Sequence, residues 1–382
     1  MAKIIVNGSI VKFPTGGLVQ FMMAYVVGLK KLGHEVYFIE KSEWEYACFD
    51  MSQLIMTDDC TYGLHFLQNL LKKYGLENNW CFFDYKGNYY GMDQNHLTKL
   101  FNECDVYLDL EWGEWDQGSE NVPIRVFIDG EPGWFQFKLS NMVSEDQSLP
   151  KYDYYFTDGF NIGDEGNIIP TVGIDWKKAW TPILIENPKL SYQPPSKNAP
   201  FSTVMNWKSH KEVTFNGKVY GQKNIEFEKF MALPKFIKQA MEVAVSGEGV
   251  PHQKLKDNLW SVKSAFDVVP TVDAYHDYIS RSKGEFCIAK NVFVDSQCGW
   301  FGERAGYYML QGRPVISQDT GFSKHLPCGL GILAINTLDE AIEAIDRINS
   351  EYPKHAHSAR EMVFEYFDSD KVLNKILEQI GV

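Results

Sequence analysis

The chain reads as α/β, with two doubly wound, Rossmann-like domains facing across a cleft and a C-terminal helix crossing back to the first. Three observations predict this. Short apolar strands alternate with helices along both halves. The strand runs are continuously apolar, as in parallel sheets covered by helices on both faces. A segment from Thr181 to Phe201 carries five prolines in 21 residues, which forbids a helix or a central strand and marks a linker. At 382 residues the chain is also too long for one ordinary domain. The expected division is residues 1–185, a linker at 186–200, a second domain at 201–352, and a helical region at 353–382 that packs back toward the first domain.

The elements follow in order. "KIIVNG" (Lys3 to Gly8) is a strand, Gly17 to Leu32 a helix apolar on nearly every face, and "EVYFIE" (Glu35 to Glu40) a second strand, which together make a βαβ unit. Asp105 to Trp112, Ile124 to Pro132 and Tyr152 to Gly159 predict three more strands ending in acidic residues, with helices at Gly63 to Tyr74, Asn95 to Cys104 and Trp134 to Met142. After the linker, strands are expected at Phe201 to Trp207, Met241 to Ser246, Ala265 to Val269, Glu285 to Lys290, Pro314 to Ser317 and Gly331 to Ile335. Helices fit Ile225 to Lys238, Pro251 to Leu259, Val272 to Ser282, Glu303 to Gln311 and Leu338 to Ser350, and a final helical region, Lys354 to Ile380, is interrupted at Phe367 to Asp370.

Composition narrows the function. The net charge of -13 repels phosphate polymers and anionic lipid, so nucleic acid is an unlikely partner. Seven scattered cysteines, none in a CxxC pair, point to a reducing, cytoplasmic setting with no disulfide frame or zinc site. The longest apolar run, Gly17 to Leu29, falls short of the ~20 residues that span a bilayer, and the amino terminus reads as a strand and not a signal peptide. No GxGxxG follows the first strand and no GxxxxGK[ST] occurs, which argues against a dinucleotide oxidoreductase or a P-loop NTPase. No serine or cysteine elbow of a hydrolase is present.

Three stretches carry a family resemblance: the opening strand, "TGG" loop, buried helix and "LGHEVYFIE"; "GWFGER…YYMLQGRPVISQDTGF…LPCGLGILAINTLDEAIEAI" (Gly299 to Ile345); and "HSAREMVFEYFDSDKVLNKIL" (His357 to Leu377). Together they resemble a glycosyltransferase of the GT-B architecture. The resemblance implies that the first domain binds an acceptor and the second a nucleotide sugar, a co-substrate with no other cofactor. One departure matters. Many GT-B enzymes place a ribose-binding glutamate five residues before the glycine of the G-x-P-V turn, and here that position is Tyr307.

A nucleotide-sugar donor carries a pyrophosphate that gains negative charge as the anomeric bond breaks, and without a metal the protein supplies the compensating field. A helix amino terminus contributes roughly 0.3–1 kcal/mol, too little alone for a dianion. An arginine or lysine has to add direct contact. The expected cradle is Gly302, Glu303 and Arg304 at a helix start, with Asp319, Thr320 and Gly321 at the following strand end; the plain alternative is a solvated capping pair on an ordinary turn. Lys208, Lys211 and Lys223 are further cations, Lys223 being placed near a helix start by the "YGQK" turn. For an inverting transfer the expected base is Asp129 or Glu131, and a retaining mechanism would need none. Acceptor contacts are expected from Gly16, Gly17, Asp109, Glu111, Trp112 and Trp134, with Trp115 as a further stacking surface and no metal ligands. His34 reads as a hydrogen-bonded structural histidine. Two other functions fit the same scaffold: a nucleotide-sugar epimerase or phosphorylase, and a non-catalytic sugar-nucleotide-binding subunit.

Overall fold

The computed structural model describes every residue except 113, 114, 116, 117, 187–192 and 210. Part of the proline-rich segment therefore lies outside the described residues. The first half builds β1 (Lys3–Asn7), α1 (Gly16–Lys31), β2 (Glu35–Lys41), β3 (Cys48–Asp50), β4 (Ile55–Thr57), α2 (Thr61–Lys73), β5 (Trp80–Phe83), β6 (Tyr89–Gly91), α3 (Gln94–Glu103), β7 (Val106–Asp109), β8 (Ile124–Asp129), α4 (Trp134–Ser144), β9 (Tyr154–Thr157) and β10 (Trp176–Lys178). Eight of these strands form one sheet in the order β10-β9-β8-β7-β1-β2-β5-β6, parallel except for β6 at its edge. β3 and β4 form a separate hairpin.

The second half builds β11 (Phe201–Asn206), β12 (Val213–Phe215), β13 (Lys218–Tyr220), α5 (Lys223–Phe230), β14 (Met241–Ser246), α6 (His252–Asp257), β15 (Ser261–Ser264), α7 (Ala265–Val268), α8 (Val272–Arg281), β16 (Gly284–Cys287), α9 (Asn291–Ser296), α10 (Glu303–Leu310), β17 (Val315–Gln318), β18 (Ile332–Ile335), α11 (Leu338–Ser350), α12 (Tyr352–Met362) and α13 (Ser369–Ile380). Its six-stranded sheet, β15-β14-β11-β16-β17-β18, is parallel throughout. The β12–β13 hairpin lies on α4 of the first half, where Phe137 stacks on Phe215 with centroids 4.5 Å apart.

Two apolar clusters hold this together. One runs from the first sheet through α1 and α13 to the near face of the second sheet. The other covers the far face of the second sheet, where Phe227 and Phe230 of α5 and Ile345 and Ile348 of α11 are buried. The chain returns to the first half through a parallel bridge, with Ile183 N–H donating to Phe367 O at 2.7 Å and Ser369 N–H to Ile183 O at 3.0 Å. α13 then lays Leu373, Ile376, Leu377 and Ile380 against Ile4, Leu29, Val106 and Leu108. A Cβ on Gly28 of α1 would come within 2.4 Å of Leu373, so that glycine sets how closely the two helices approach.

Two of the expected elements take a different form. Ala265 to Val269 is not a strand; the strand lies just before it, at Ser261–Ser264, as the polar edge of the sheet. An edge strand exposes alternate residues, so "SVKS" lacks the apolar run that marks a buried strand. The helix expected over Ile225 to Lys238 ends at Phe230, and a 3-10 turn follows at Leu233–Lys235 because Pro234 cannot continue it. His34 does accept a hydrogen bond, from Ala2 N–H to Nδ1 at 3.2 Å. All seven cysteines are free, and six are buried. Among the described residues, no helix is long and apolar enough to cross a membrane.

Candidate active site

Ligands of open α/β sheets gather at the carboxyl ends of strands, in the crevice where strand order reverses. Those crevices lie between β1 and β7 in the first sheet and between β11 and β16 in the second. The first is filled by the protein itself. Successive N–H groups of Ile10, Val11 and Lys12 converge on the Glu40 carboxylate at 2.7, 2.7 and 2.8 Å. Burial pushes Glu40 up to about 7, against the pull of Lys12 and those three N–H groups. Lys12 also faces Glu111 at 3.5 Å.

Most of the expected acceptor residues are committed to structure. Asp109 is fully buried and accepts from Asn7 Nδ2 at 2.9 Å, from Glu111 N–H at 2.9 Å and from the Tyr152 hydroxyl. Trp112 packs into an aromatic group with Phe127, Phe135 and Tyr152, at centroid distances of 4.8, 4.6 and 5.7 Å. Trp115 is buried with Nε1 donating to Asn7 at 3.1 Å. Gly16 presses on the other half, where an added Cβ would meet Thr271 O at 2.8 Å, and Gly17 lies near Tyr275. Trp134 also bridges the halves, its Nε1 donating to Lys211 O at 3.1 Å.

Acids from the ends of β8 and β9 meet the second half. Asp129 is 2% exposed and does not face an acceptor; it takes hydrogen bonds from Gln136 Nε2 at 2.7 Å, Thr157 Oγ1 at 2.9 Å and Glu131 N–H at 2.8 Å. It therefore shapes the turn that carries Glu131, while burial lifts its own carboxyl to about 6. Asp158, just after β9, is buried with Oδ1 unpartnered. Burial raises it well above an ordinary carboxyl, and Asp129, Glu303 and Glu131 push the same way. Glu131 is the exposed member of this set and forms a two-pronged ion pair with Lys290, across the cleft.

The second crevice is lined with cations. Asn291 at the start of α9 holds the turn before α5: its Oδ1 accepts from Gly221 N–H at 2.9 Å, and Val292 N–H donates to Gly221 O at 3.1 Å. The buried Glu226 fixes α5 further by accepting from Asn291 Nδ2 at 2.9 Å and from Gln318 of β17. Lys223 and Lys290, close to this joint on either side, thus share a neighbourhood. Burial lowers Lys223 to about 8, helped by Arg304 and Lys290 and opposed by Cys287 and Glu303. Between them Gln222 is buried, its Oε1 accepting from Ser209 at 3.0 Å and its Nε2 unpartnered. Lys208, at the end of β11, is exposed.

The expected cradle is largely occupied by its own side chains. Arg304 turns inward: Nε donates to Glu285 and Nη1 to Val204 O at 2.6 Å, while Nη2 lies 3.2 Å from Cys287 Sγ. It is an internal counterion beneath β11 and β16, where Glu285 is fully buried. Asp319 folds back on its own turn, accepting from Gly321 N–H at 2.8 Å and Ser323 Oγ at 2.6 Å. The Thr320 hydroxyl donates to Trp300 O at 2.6 Å, and a Cβ on Gly302 would strike the Trp300 ring at 2.9 Å. Gly321, at φ +92°, packs against Asn161 of the first half.

No protein-family model matches the sequence, and no curated protein matches it. Solved structures do. An α-glucosyltransferase in complex with UDP and a 13-mer DNA containing a central A:G mismatch is 12% identical over all of both chains, with a TM-score of 0.59. Sucrose-phosphate synthase from Thermosynechococcus elongatus is 12% identical over 99% of each chain, with a TM-score of 0.55. AviGT4, a glycosyltransferase of avilamycin A biosynthesis, is 11% identical over 100% of this chain and 97% of its own, at 0.52. The chain has the GT-B fold.

Within this GT-B frame, Glu131, Glu303 and Lys223 lie at the cleft between the halves and Arg304 beneath it, whereas Asp109, Trp112, Gly302, Thr320 and Gly321 support its walls. Lys290, Asp158 and Gln222 belong to the cleft but were not singled out from sequence. Asp158 had a signal, the "TDG" that ends a strand much as "IDG" ends β8. Lys290 had none beyond its place after a strand.

Proposed function

We propose that the protein is a glycosyltransferase that moves a sugar from a nucleotide-sugar donor to an acceptor hydroxyl without a metal. The observation that carries this reading is the paired arrangement of a GT-B fold and a cation-lined crevice between β11 and β16. A diphosphate there meets Lys223 at the amino end of α5, where the charged side chain and the helix dipole act together. Arg304 adds positive field from below and keeps Glu285 from cancelling it. The acceptor hydroxyl approaches from the first half, and Glu131, the partly exposed acid of the turn after β8, takes its proton. Asp129 positions Glu131 through the backbone. The net charge of -13 favours a small or neutral acceptor over a nucleic acid.

The test is calorimetry with UDP, GDP, ADP, CMP and dTDP on the wild type and Lys223→Gln. One nucleoside diphosphate is expected to bind at micromolar affinity and at least tenfold more weakly to the variant, a loss of about 1.4 kcal/mol. Absence of binding by all five would remove the reading.

A further inference from the structure

The geometry points to Glu131 as a stand-in for the donor's diphosphate: its carboxylate holds Lys290 where the diphosphate will lie, and donor binding exchanges one anion for the other. This rests on the nucleotide-sugar reading above, and it adds Lys290 as a binding residue and donor exchange as the event that releases Glu131.

Four observations support it. The pair joins the two halves across the cleft, with the Lys290 side chain 8% exposed and that of Glu131 33% exposed, so the carboxylate is the partner more open to solvent. Lys290 is held close to Lys223 by the Gly221–Asn291 and Gly221–Val292 hydrogen bonds, near enough for its charge to act on Lys223. Gln222, between them in the fold, keeps a buried amide donor without an acceptor, a group a phosphate oxygen would satisfy. Finally, Lys223, Lys290 and Arg304 lie close enough for the other two to weigh on the ionisation of Lys223; Arg304 is matched by Glu285 and Lys290 by Glu131, whereas Glu303 acts on Lys223 only as a neighbouring charge. A diphosphate carries more charge than the Glu131 carboxylate and meets both lysines, so the exchange runs toward the donor.

The exchange has a chemical consequence. Paired with Lys290, Glu131 is a poor base, because its lone pairs are engaged. Displaced, it no longer shares its lone pairs with Lys290 and can accept a proton from an acceptor hydroxyl. The base is thus released from Lys290 only when a donor is seated.

The experiment is a double-mutant cycle read by calorimetry, with inorganic pyrophosphate and UDP as probes. Glu131→Gln is expected to bind pyrophosphate about tenfold more tightly than the wild type, Lys290→Gln about tenfold more weakly, and the double variant to show no gain from the Glu131 change. Glu131→Asp, one methylene shorter, should shift affinity in the same direction by less, and it guards against a folding defect in the amide variant. Unchanged or weaker pyrophosphate binding by both Glu131 variants would overturn the inference. So would a gain that persists in full alongside Lys290→Gln, since that is general relief of negative charge. Pyrophosphate exchange without binding of any nucleoside diphosphate would leave the anion exchange standing and refute the glycosyltransferase reading instead.

Discussion

Replacing Arg304 with methionine separates the two roles that an arginine at this position can have. As an internal counterion, Arg304 neutralises Glu285, which is fully buried and has a second oxygen, Oε2, without a partner. Removing one member of a buried pair costs about 3–5 kcal/mol, because the remaining charge has no compensation. For a domain of about 150 residues each kcal/mol moves the melting temperature by roughly 2–4 °C, so the expected loss is about 6–20 °C. Burial already pushes Glu285 up with Arg304 in place, and the missing cation pushes it further. A carboxyl raised in the folded state binds a proton that the unfolded chain releases, so the deficit grows as pH rises from about 4.5 toward the raised value. Differential scanning calorimetry at pH 5 and pH 8 reads both effects. Changing Glu285 to glutamine in the same chain should recover most of the loss. A variant that melts within about 2 °C of the wild type but binds nucleoside diphosphate tenfold more weakly would refute this reasoning. It would make Arg304 a ligand of the donor, as the sequence alone suggests.

Two further outcomes follow from the cleft charges. Because burial lowers Lys223 to about 8, diphosphate affinity should be flat below that pH and fall above it as the ammonium deprotonates; in Lys223→Arg the break should vanish, since guanidinium stays charged, and an unaltered break would assign the titration elsewhere. Asp158→Asn should stabilise the protein at pH 8 and not at pH 4: the native carboxyl is raised, so its stability contribution drops as pH rises from about 4, and each tenfold change in proton affinity between the folded and unfolded chain is worth about 1.4 kcal/mol. Equal melting of variant and wild type at both pH values would mean that Asp158 is ionised in the fold at no cost.

What the sequence made legible is what repeats along it. The alternation of apolar strands and helices is a property of every segment, so both sheets and the return helix α13 could be read. Short strands were lost because three residues are too few for a pattern: β3, β4, β12 and β13 carry no run long enough to register. The site was harder, because a residue type at a strand end does not say which way it points. Arg304 is in the first turn of α10, as expected, yet its side chain descends between β11 and β16 because Glu285 waits there. Glu285 gave no signal in sequence, being the second residue of a short strand. Asp129 and Asp109 likewise end strands, yet both are consumed by the groups that fold around them.

The two halves share an architecture, so something other than the fold has to decide which of them takes the anion. The loop after β1 offers three converging backbone N–H groups, an arrangement suited to phosphate, but Glu40 from the neighbouring strand β2 takes all three. Any anionic ligand there would have to displace a buried carboxylate that is part of the sheet, and the loop would lose the group that orders it. The second crevice is built the opposite way. Its carboxylates, Glu226 and Glu285, sit beneath the surface and hold helices in place, leaving Lys223 and the buried Lys290 to face the other half. The anion that does reach Lys290, Glu131, comes from the other half of the molecule and so can leave without unfolding either one. What separates the two halves is therefore the origin of the carboxylate that meets these groups, a neighbouring strand for the loop after β1 and the opposite half for Lys290, a distinction that no local motif encodes.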